Sequence, residues 1–250
     1  MTNAELAARL LTNIVAFKQF QARHGYLRGM ILPGLWAFAQ PAFPQVIYQQ
    51  QIFFEHDAAL MAALPALEDF YRSHGVPLWR VWVPPGSPTG EALGRAGYHS
   101  EGGFPAMGLG LEDAPLAPPG IPLEPLPSQE ELIPLNEEAF GAGSGMEVQP
   151  WHRQPYAHVH PLGAREGGRL AVGGMAFDVE DTAGIYLVAT ALFARGQGLA
   201  TGLMRGLLLQ ARARGRTAAV LQSTAMGYAV YRRVGFRDLG TWANWVRRLD

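Results

Sequence analysis

The segment from Ile185 to Arg214 restricts the possible folds more than any other part of the chain. Ile185-Tyr186-Leu187-Val188-Ala189-Thr190 reads as a strand, Arg195-Gly196-Gln197-Gly198-Leu199-Ala200 as a glycine-rich turn, and the run from Thr201 to Arg214 as a helix of alternating Leu and Ala. At such a junction the first amides of the helix converge and the helix dipole adds partial positive charge, so phosphate can bind without a basic surface. Gly196 and Gly198 suit a turn of positive φ and let the main chain approach phosphate oxygens that a Cβ would hold away. Two familiar phosphate loops are excluded by their letters. A P-loop requires Lys-Ser or Lys-Thr at the helix start, where this chain has no lysine. A dinucleotide fingerprint requires a spacing that Gly196, Gly198 and Gly202 do not keep, and the following strand, Ala218 to Leu221, ends without an acid.

The surrounding chain is of globular composition, with 48% hydrophobic and 16% charged residues in 250. Its 20 basic and 21 acidic side chains leave a net charge of -1, which argues against nucleic acid or an anionic membrane as a partner. Cysteine is absent, which excludes disulfides, thiolate metal sites and a cysteine nucleophile, and Lys18 is the single lysine. No basic cluster opens the chain and no apolar run reaches the ~18 residues of a membrane span, so a cytoplasmic protein is expected.

Six prolines between Ala114 and Pro127 divide the chain, as an interdomain linker or a connecting strand edge. Before this seam, Asn3 is placed to cap a helix carrying Leu6, Leu10, Ile14, Phe17 and Phe20 and stopping at Gly25. After it, Ser128 and Glu131 form a capping-box pattern for a helix ending near Gly141. Arg169 to Asp178 and Gly184 to Thr190 read as a hairpin across a polar turn. A shift of 138 residues lays Leu93-Gly94-Arg95-Ala96-Gly97-Tyr98 on Tyr231-Arg232-Arg233-Val234-Gly235-Phe236, and in both halves a helix, a short strand, a second short helix and a final strand follow in order. This favours a duplicated α/β unit with a mixed sheet: residues 1–113, a linker at 114–127, and residues 128–250.

Arg195, Gly198 and Ala200 in the pattern Arg-x-x-Gly-x-Ala resemble the pyrophosphate-binding motif of the GNAT N-acyltransferase superfamily, and the resemblance extends further. Val188-Ala189-Thr190 is similar to that family's splayed strand, whose backbone bonds the pantetheine arm. Tyr231 through Gly235-Phe236 resembles its Tyr-x-x-x-Gly-Phe segment. The resemblance covers Arg169 to Asp250, and more loosely begins at Leu123. It implies an α/β fold of two GNAT-like acyl-CoA N-acyltransferase domains in tandem. It also implies acetyl-CoA or another acyl-CoA as co-substrate, and acetyl transfer by direct attack to a primary amine of a small molecule or peptide. By the same resemblance Arg195, Gly196, Gln197, Gly198, Leu199, Ala200 and Thr201 hold the pyrophosphate, Val188, Ala189 and Thr190 the pantetheine, with the Ala189 amide an oxyanion donor. Thr224, where relatives often carry Asn, keeps a hydroxyl for the arm. Tyr231 gives a proton or a hydrogen bond to the leaving sulfur.

The general base is unassigned: Gly184 and Tyr186 stand where some relatives place it, and water, His158, His160 or Glu180 could serve. Trp151, His152, Tyr156 and His158 lie in the stretch between Gly141 and Gly163, read as irregular, where the family builds its acceptor pocket; these aromatics and Tyr186 either line that pocket or roof the core. His158 and His160 stand at alternate positions without a partner acid in sequence, so no metal is expected. Under the 138-residue shift, Arg195 and Gly198 fall on Asp57 and Leu60, so the first half reads as a degenerate copy unable to hold CoA. A monomer or homodimer is expected. The alternative is a non-catalytic acyl-CoA-binding or scaffold protein. A transferase using aminoacyl-tRNA would need a basic groove, against the even charge.

Overall fold

The computed structural model describes residues 1–112, 114–141 and 147–249. The expected domain ends at Asp113 and Asp250, and the part of the expected acceptor stretch immediately after Gly141, lie outside the described residues. In chain order the elements are α1 (Asn3–Arg23), β1 (Arg28–Leu32), β2 (Leu35–Ala39), β3 (Gln51–Phe54), α2 (Asp57–Ser73), β4 (Leu78–Val83), α3 (Thr89–Arg95) and β5 (His99–Gly110). They continue with β6 (Glu124–Pro125), α4 (Leu132–Phe140), β7 (Val159–Glu166), β8 (Arg169–Val179), β9 (Thr182–Thr190), α5 (Leu199–Ala213), β10 (Ala218–Gln222), α6 (Ala225–Arg233) and β11 (Arg237–Arg248).

The chain packs as two compact units, each taking a piece from the opposite end of the sequence. One comprises Met1–Ile14 with Ala106–Leu239, the other Val15–Pro105 with Gly240–Asp250. In the first, β5, β10, β9, β8, β7 and β6 neighbour one another in that order. β10 and β9 are parallel and the remaining pairs antiparallel, which gives the mixed α/β sheet read from the sequence. Successive residues of a strand point to opposite faces. A Cβ on Gly173 would meet Leu132 and Leu135 of α4, and one on Gly174 would approach Leu203 of α5, so these two helices cover opposite faces. The core of this unit gathers Met107, Leu162, Val172, Leu203, Leu207, Leu221 and Phe236.

The second unit orders β1, β2, β3, β4 and β11, with β3 and β4 parallel. α2 packs Leu60, Leu67 and Tyr71 against this sheet, and Tyr71 stacks on Trp79 at 4.7 Å.

Several local expectations are corrected. Thr2, not Asn3, caps α1: its hydroxyl accepts the Glu5 amide at 3.2 Å while the Glu5 carboxylate accepts the Thr2 amide at 2.6 Å. The capping box at Ser128 and Glu131 does not form. The Ser128 hydroxyl accepts the Glu130 amide, and Glu131 is drawn away to Arg165 at 2.8 Å. The stretch read as irregular up to Gly163 contains a short 3-10 turn at Pro150–Arg153 and β7 from Val159 as far as Gly163.

The proline seam is no free tether. Glu124–Pro125 pairs with β7, and the residues before it strap over α5, where Gly206 and Gly202 leave room: a Cβ on Gly202 would stand 2.7 Å from Ile121. Arg212 donates to the Ala114 carbonyl at 2.9 Å. Apolar Leu116, Ile121 and Leu123, part-buried between the prolines, therefore pack against the core while the prolines leave few amides to satisfy.

Candidate functional site

The site begins with two parallel strands that part. β9 and β10 pair only through Thr182–Ala218, Ala183–Ala219 and Gly184–Val220, and beyond these β9 runs on to Thr190. On its other side β9 bulges: its register with β8 slips between Gly173 and Met175, and Leu187 takes a left-handed φ of 54°. The buried Asn136 of α4 fixes this bulge. Its amide nitrogen donates to the Leu187 carbonyl and to that of Leu132, both at 2.9 Å. Gly174 lies under the bulge, where a Cβ would meet Val188 at 3.0 Å.

The cleft opened by this divergence is closed at one end by the glycine turn. Gly196 and Gly198 both have φ of 78°, and Gly198 is the residue that caps α5. A Cβ on either would enter open space, so steric crowding is not what selects glycine here; the left-handed backbone is. Among the described residues the amides of Leu199 and Ala200, which head α5, have no backbone acceptor, as the first turn of a helix requires. Arg195 anchors the turn, donating from Nη2 to the Ala139 carbonyl at 2.7 Å, while the Leu192 amide donates to Glu138.

The cleft measures about 580 Å³. Its lining brings together Tyr186, Val188, Ala189, Thr190, Arg195, Gly196, Gly198, Leu199, Ala200, Thr201, Thr224 and Tyr231 of the residues singled out from sequence. Gln197 faces elsewhere, and Trp151, Tyr156 and His158 are not in the lining. Trp151 is buried with its ring 3.8 Å from that of His152, and His158 stands edge-on to Phe177. His152 accepts the Gln149 amide at 2.8 Å, and burial lowers its pKa to about 4, so it is neutral. Tyr156 and His160 line a second cavity of about 490 Å³. His160 does have a partner acid, Asp178 at 3.2 Å, which Arg214 also holds at 2.9 Å. Burial pushes the Asp178 carboxyl up, but these hydrogen bonds prevail and hold it below its ordinary range. No cluster of metal-ligating side chains occurs among the described residues.

Tyr231 enters the cleft from α6, 9% exposed, with its ring edge-on to Phe236 and a hydroxyl that takes no hydrogen bond among the described residues. Burial pushes its pKa up to about 12. Gly227, one turn earlier, lies flat against it: a Cβ there would stand 2.7 Å from the ring. The Thr224 hydroxyl caps α6 by accepting the Gly227 amide at 3.2 Å, leaving its own proton for the cleft.

The contribution of α1 was not foreseen. Leu10 and Ile14 line the same cleft. Asn13, fully buried, accepts the Tyr186 hydroxyl at 2.7 Å and donates to the Phe177 carbonyl at 3.1 Å. A Cβ on Gly184 would lie 1.8 Å from the Asn13 Oδ1. Glycine at position 184 is therefore a packing requirement. Burial raises the Tyr186 phenol well above its ordinary value, so it is a neutral donor. The described lining contains no carboxylate or imidazole; its charged groups are Arg195 and Arg233.

A parted pair of parallel strands, a bulge on one of them and a left-handed glycine turn at the head of the following helix make up a fold similar to that of solved GNAT structures. Residues 128–238 match the family model described as an acetyltransferase (GNAT) domain. A GCN5-related N-acetyltransferase from Kribbella flavida superposes with a TM-score of 0.67 at 17% identity, covering 94% of each chain. One from Sphaerobacter thermophilus does so at 0.60 and 16% identity, covering 86% of this chain and 76% of its own. A tandem GNAT protein from the clavulanic acid biosynthesis pathway gives 0.59 at 16% identity over 86% of this chain and 78% of its own. At these identities the likeness carries the fold. A search of curated proteins gives no significant sequence match.

Proposed function

We propose that the chain is an acetyl-CoA-dependent N-acetyltransferase acting on a primary amine of a small molecule or peptide. The observation that carries this reading is the meeting, in one cleft, of the left-handed Gly196–Gly198 turn, the parted end of β9 and the Tyr231 hydroxyl, which has no hydrogen-bond partner among the described residues. Leu199, Ala200 and Thr201 present the head of α5 to the pyrophosphate, with Gly196 and Gly198 allowing close approach. Val188 to Thr190 run beside the pantetheine arm, with the Ala189 amide the donor to the carbonyl oxygen, and the Thr224 proton faces the arm. The thioester supplies the activated acyl group.

Tyr231 acts as a hydrogen-bond donor. A phenol near 12 does not readily surrender its proton to a thiolate of ordinary pKa about 8.5. The amine attacks in its neutral form and becomes an ammonium as the carbon–nitrogen bond forms. The carbon–sulfur bond breaks, and the ammonium proton, passed directly or through water, leaves the thiol protonated. This route needs no side-chain base, in keeping with the described lining.

The N-terminal half is read as a degenerate copy of the same unit. In it β3 and β4 are parallel through only Gln51–Arg80 and Ile52–Val81, and Asp57, at the position equivalent to Arg195, opens α2 and accepts the Ser87 hydroxyl at 2.8 Å. An acid there repels phosphate. Among the described residues no helix is long and apolar enough to cross a membrane.

The test is acetyl-CoA-dependent thiol release against a panel of amines, with CoA binding followed by calorimetry. Tyr231→Phe is expected to lower kcat about tenfold or more while leaving the CoA Kd within about twofold. Tight CoA binding with no turnover on any amine would favour a non-catalytic acyl-CoA-binding protein.

A further inference from the structure

The second compact unit buries a positive charge for which the described residues supply no counter-charge. Arg80, on β4, is only 4% exposed, yet none of its side-chain nitrogens donates to a protein acceptor among the described residues, and Nε is wholly enclosed. Its guanidinium lies over Trp82 at 4.3 Å, Tyr48 at 4.8 Å and Phe104 at 5.9 Å. Rings stacked on its faces satisfy the charge in part but none of its five N–H donors, which point along the guanidinium edge. The part-buried Lys18 of α1, the single lysine of the chain, is close enough that the two cations repel. No carboxylate pairs with either among the described residues, whereas the part-buried Asp178 has both His160 and Arg214 as partners.

The cage is built and held. Gln51, paired in register with Arg80, accepts the Trp82 indole N–H at 3.2 Å and donates to the Tyr48 carbonyl, which fixes the Trp82 ring and the main chain that carries Tyr48. Opposite Trp82 on β11, the buried Asn244 leaves its Oδ1 without a partner. Tyr48 is 52% exposed, so the cage opens outward on that side.

A guanidinium as deeply buried as that of Arg80, with no acceptor for its side-chain donors and a second cation near it, is costly unless an anion joins it. We propose that Arg80 and Lys18 form a binding site, separate from the acyl-CoA cleft, for a small molecule that bears a carboxylate or phosphate group. Arg80 offers its planar edge for a bidentate contact, Lys18 a point charge, and Tyr48 and Phe104 a surface for an apolar or ring-bearing remainder. The held-down Lys18 ammonium, at about 7 through burial and then through Arg80, is what a cation site without its anion should display.

Because there is only one lysine, the site can be followed directly. The full chain is reductively methylated with a carbon-13 label, and the Lys18 signal is titrated by NMR in chloride, then with acetate, benzoate or inorganic phosphate at matched ionic strength. The thermal midpoint is recorded in parallel. One of the anions is expected to raise the Lys18 titration by about one pH unit or more and to raise the midpoint with a saturable dependence. Benzoate and acetate against phosphate separate the two ligand chemistries.

Lys18→Met and Arg80→Met should each weaken that anion about tenfold or more, and each should melt no lower than wild type in chloride, since a buried unpaired cation has been removed. Lys18→Met, on a helix that tolerates Met, keeps the test open should Arg80→Met fail to fold. A Lys18 titration and a melting temperature indifferent to all three anions would overturn the proposal. So would anion effects that survive in Lys18→Met.

Discussion

Asn136→Leu tests whether the cleft depends on the bulge that Asn136 holds. The replacement keeps the volume and removes two hydrogen bonds of 2.9 Å, to the Leu187 and Leu132 carbonyls. The Leu132 carbonyl lies in the first turn of α4 and retains a helical acceptor role, so its loss is small. The Leu187 carbonyl is part-buried at the bulge, and stranding it costs about 1–3 kcal/mol. Against this, Leu187 sits at φ 54°, which costs a non-glycine residue about 1–2 kcal/mol and is recovered if the bulge flattens. The balance is a destabilisation of about 2 kcal/mol when the bulge persists, and about 1 kcal/mol or less when it relaxes.

The two outcomes diverge in CoA binding. A flattened β9 moves Val188, Ala189 and Thr190 by one register step, which turns their side chains to the other face and misplaces their amides. Urea unfolding measures the first quantity and calorimetry with CoA the second. A small loss of stability should accompany at least about a tenfold loss of CoA affinity, and a larger loss of stability a smaller one. Leu187→Gly, which relieves the left-handed strain without touching Asn136, should bind CoA as wild type does. Wild-type CoA affinity in Asn136→Leu together with unchanged stability would refute the view that this side chain sets the geometry of the cleft.

Gly198→Ala places a side chain at φ 78° in otherwise open space, so stability should fall by only about 1 kcal/mol, while the added methyl at the mouth of the turn weakens CoA about tenfold in the same calorimetry. Lys18 predicts a pH dependence of stability. Its folded pKa of about 7 lies below the ordinary 10.5, so between those values the unfolded chain binds the extra proton and stability rises with pH; from about pH 7 to about pH 9.5 the gain is about 3 kcal/mol, to be measured by urea unfolding and expected to vanish in Lys18→Met.

The elements that hold the candidate site were legible because their signals are local. The glycines of Arg195 to Ala200 are demanded by two left-handed positions, and the strand before them and the helix after them carry their own periodicities. Tyr231 was legible for the same reason, through its spacing to Gly235, whose φ of 108° ends α6. The capping box at Ser128 failed because Glu131 has a stronger partner in Arg165, 34 residues away, which no local pattern contains. The proline seam reads as a linker or a connecting strand edge because prolines announce extended chain; its end does pair as an edge strand, whereas the feature that lets the rest strap over α5 is Gly206 on another element.

The N-terminal segment is the clearest case of a long-range cause. Leu10 and Ile14 read as core positions of a helix, which they are, yet the core they serve includes the wall of a cleft whose other residues begin at Asn136. Gly184 reads as a missing base, and the Asn13 side chain, 171 residues earlier, with the Tyr186 ring it holds, explains why no side chain is admitted there. The same Asn13 takes the Tyr186 hydroxyl, which directs that ring, two residues along β9 and on the same face of the strand, toward α1. The cleft and its polar wall are thus completed by the first fourteen residues, so the unit able to perform the proposed chemistry is discontinuous in sequence even though its motifs are contiguous.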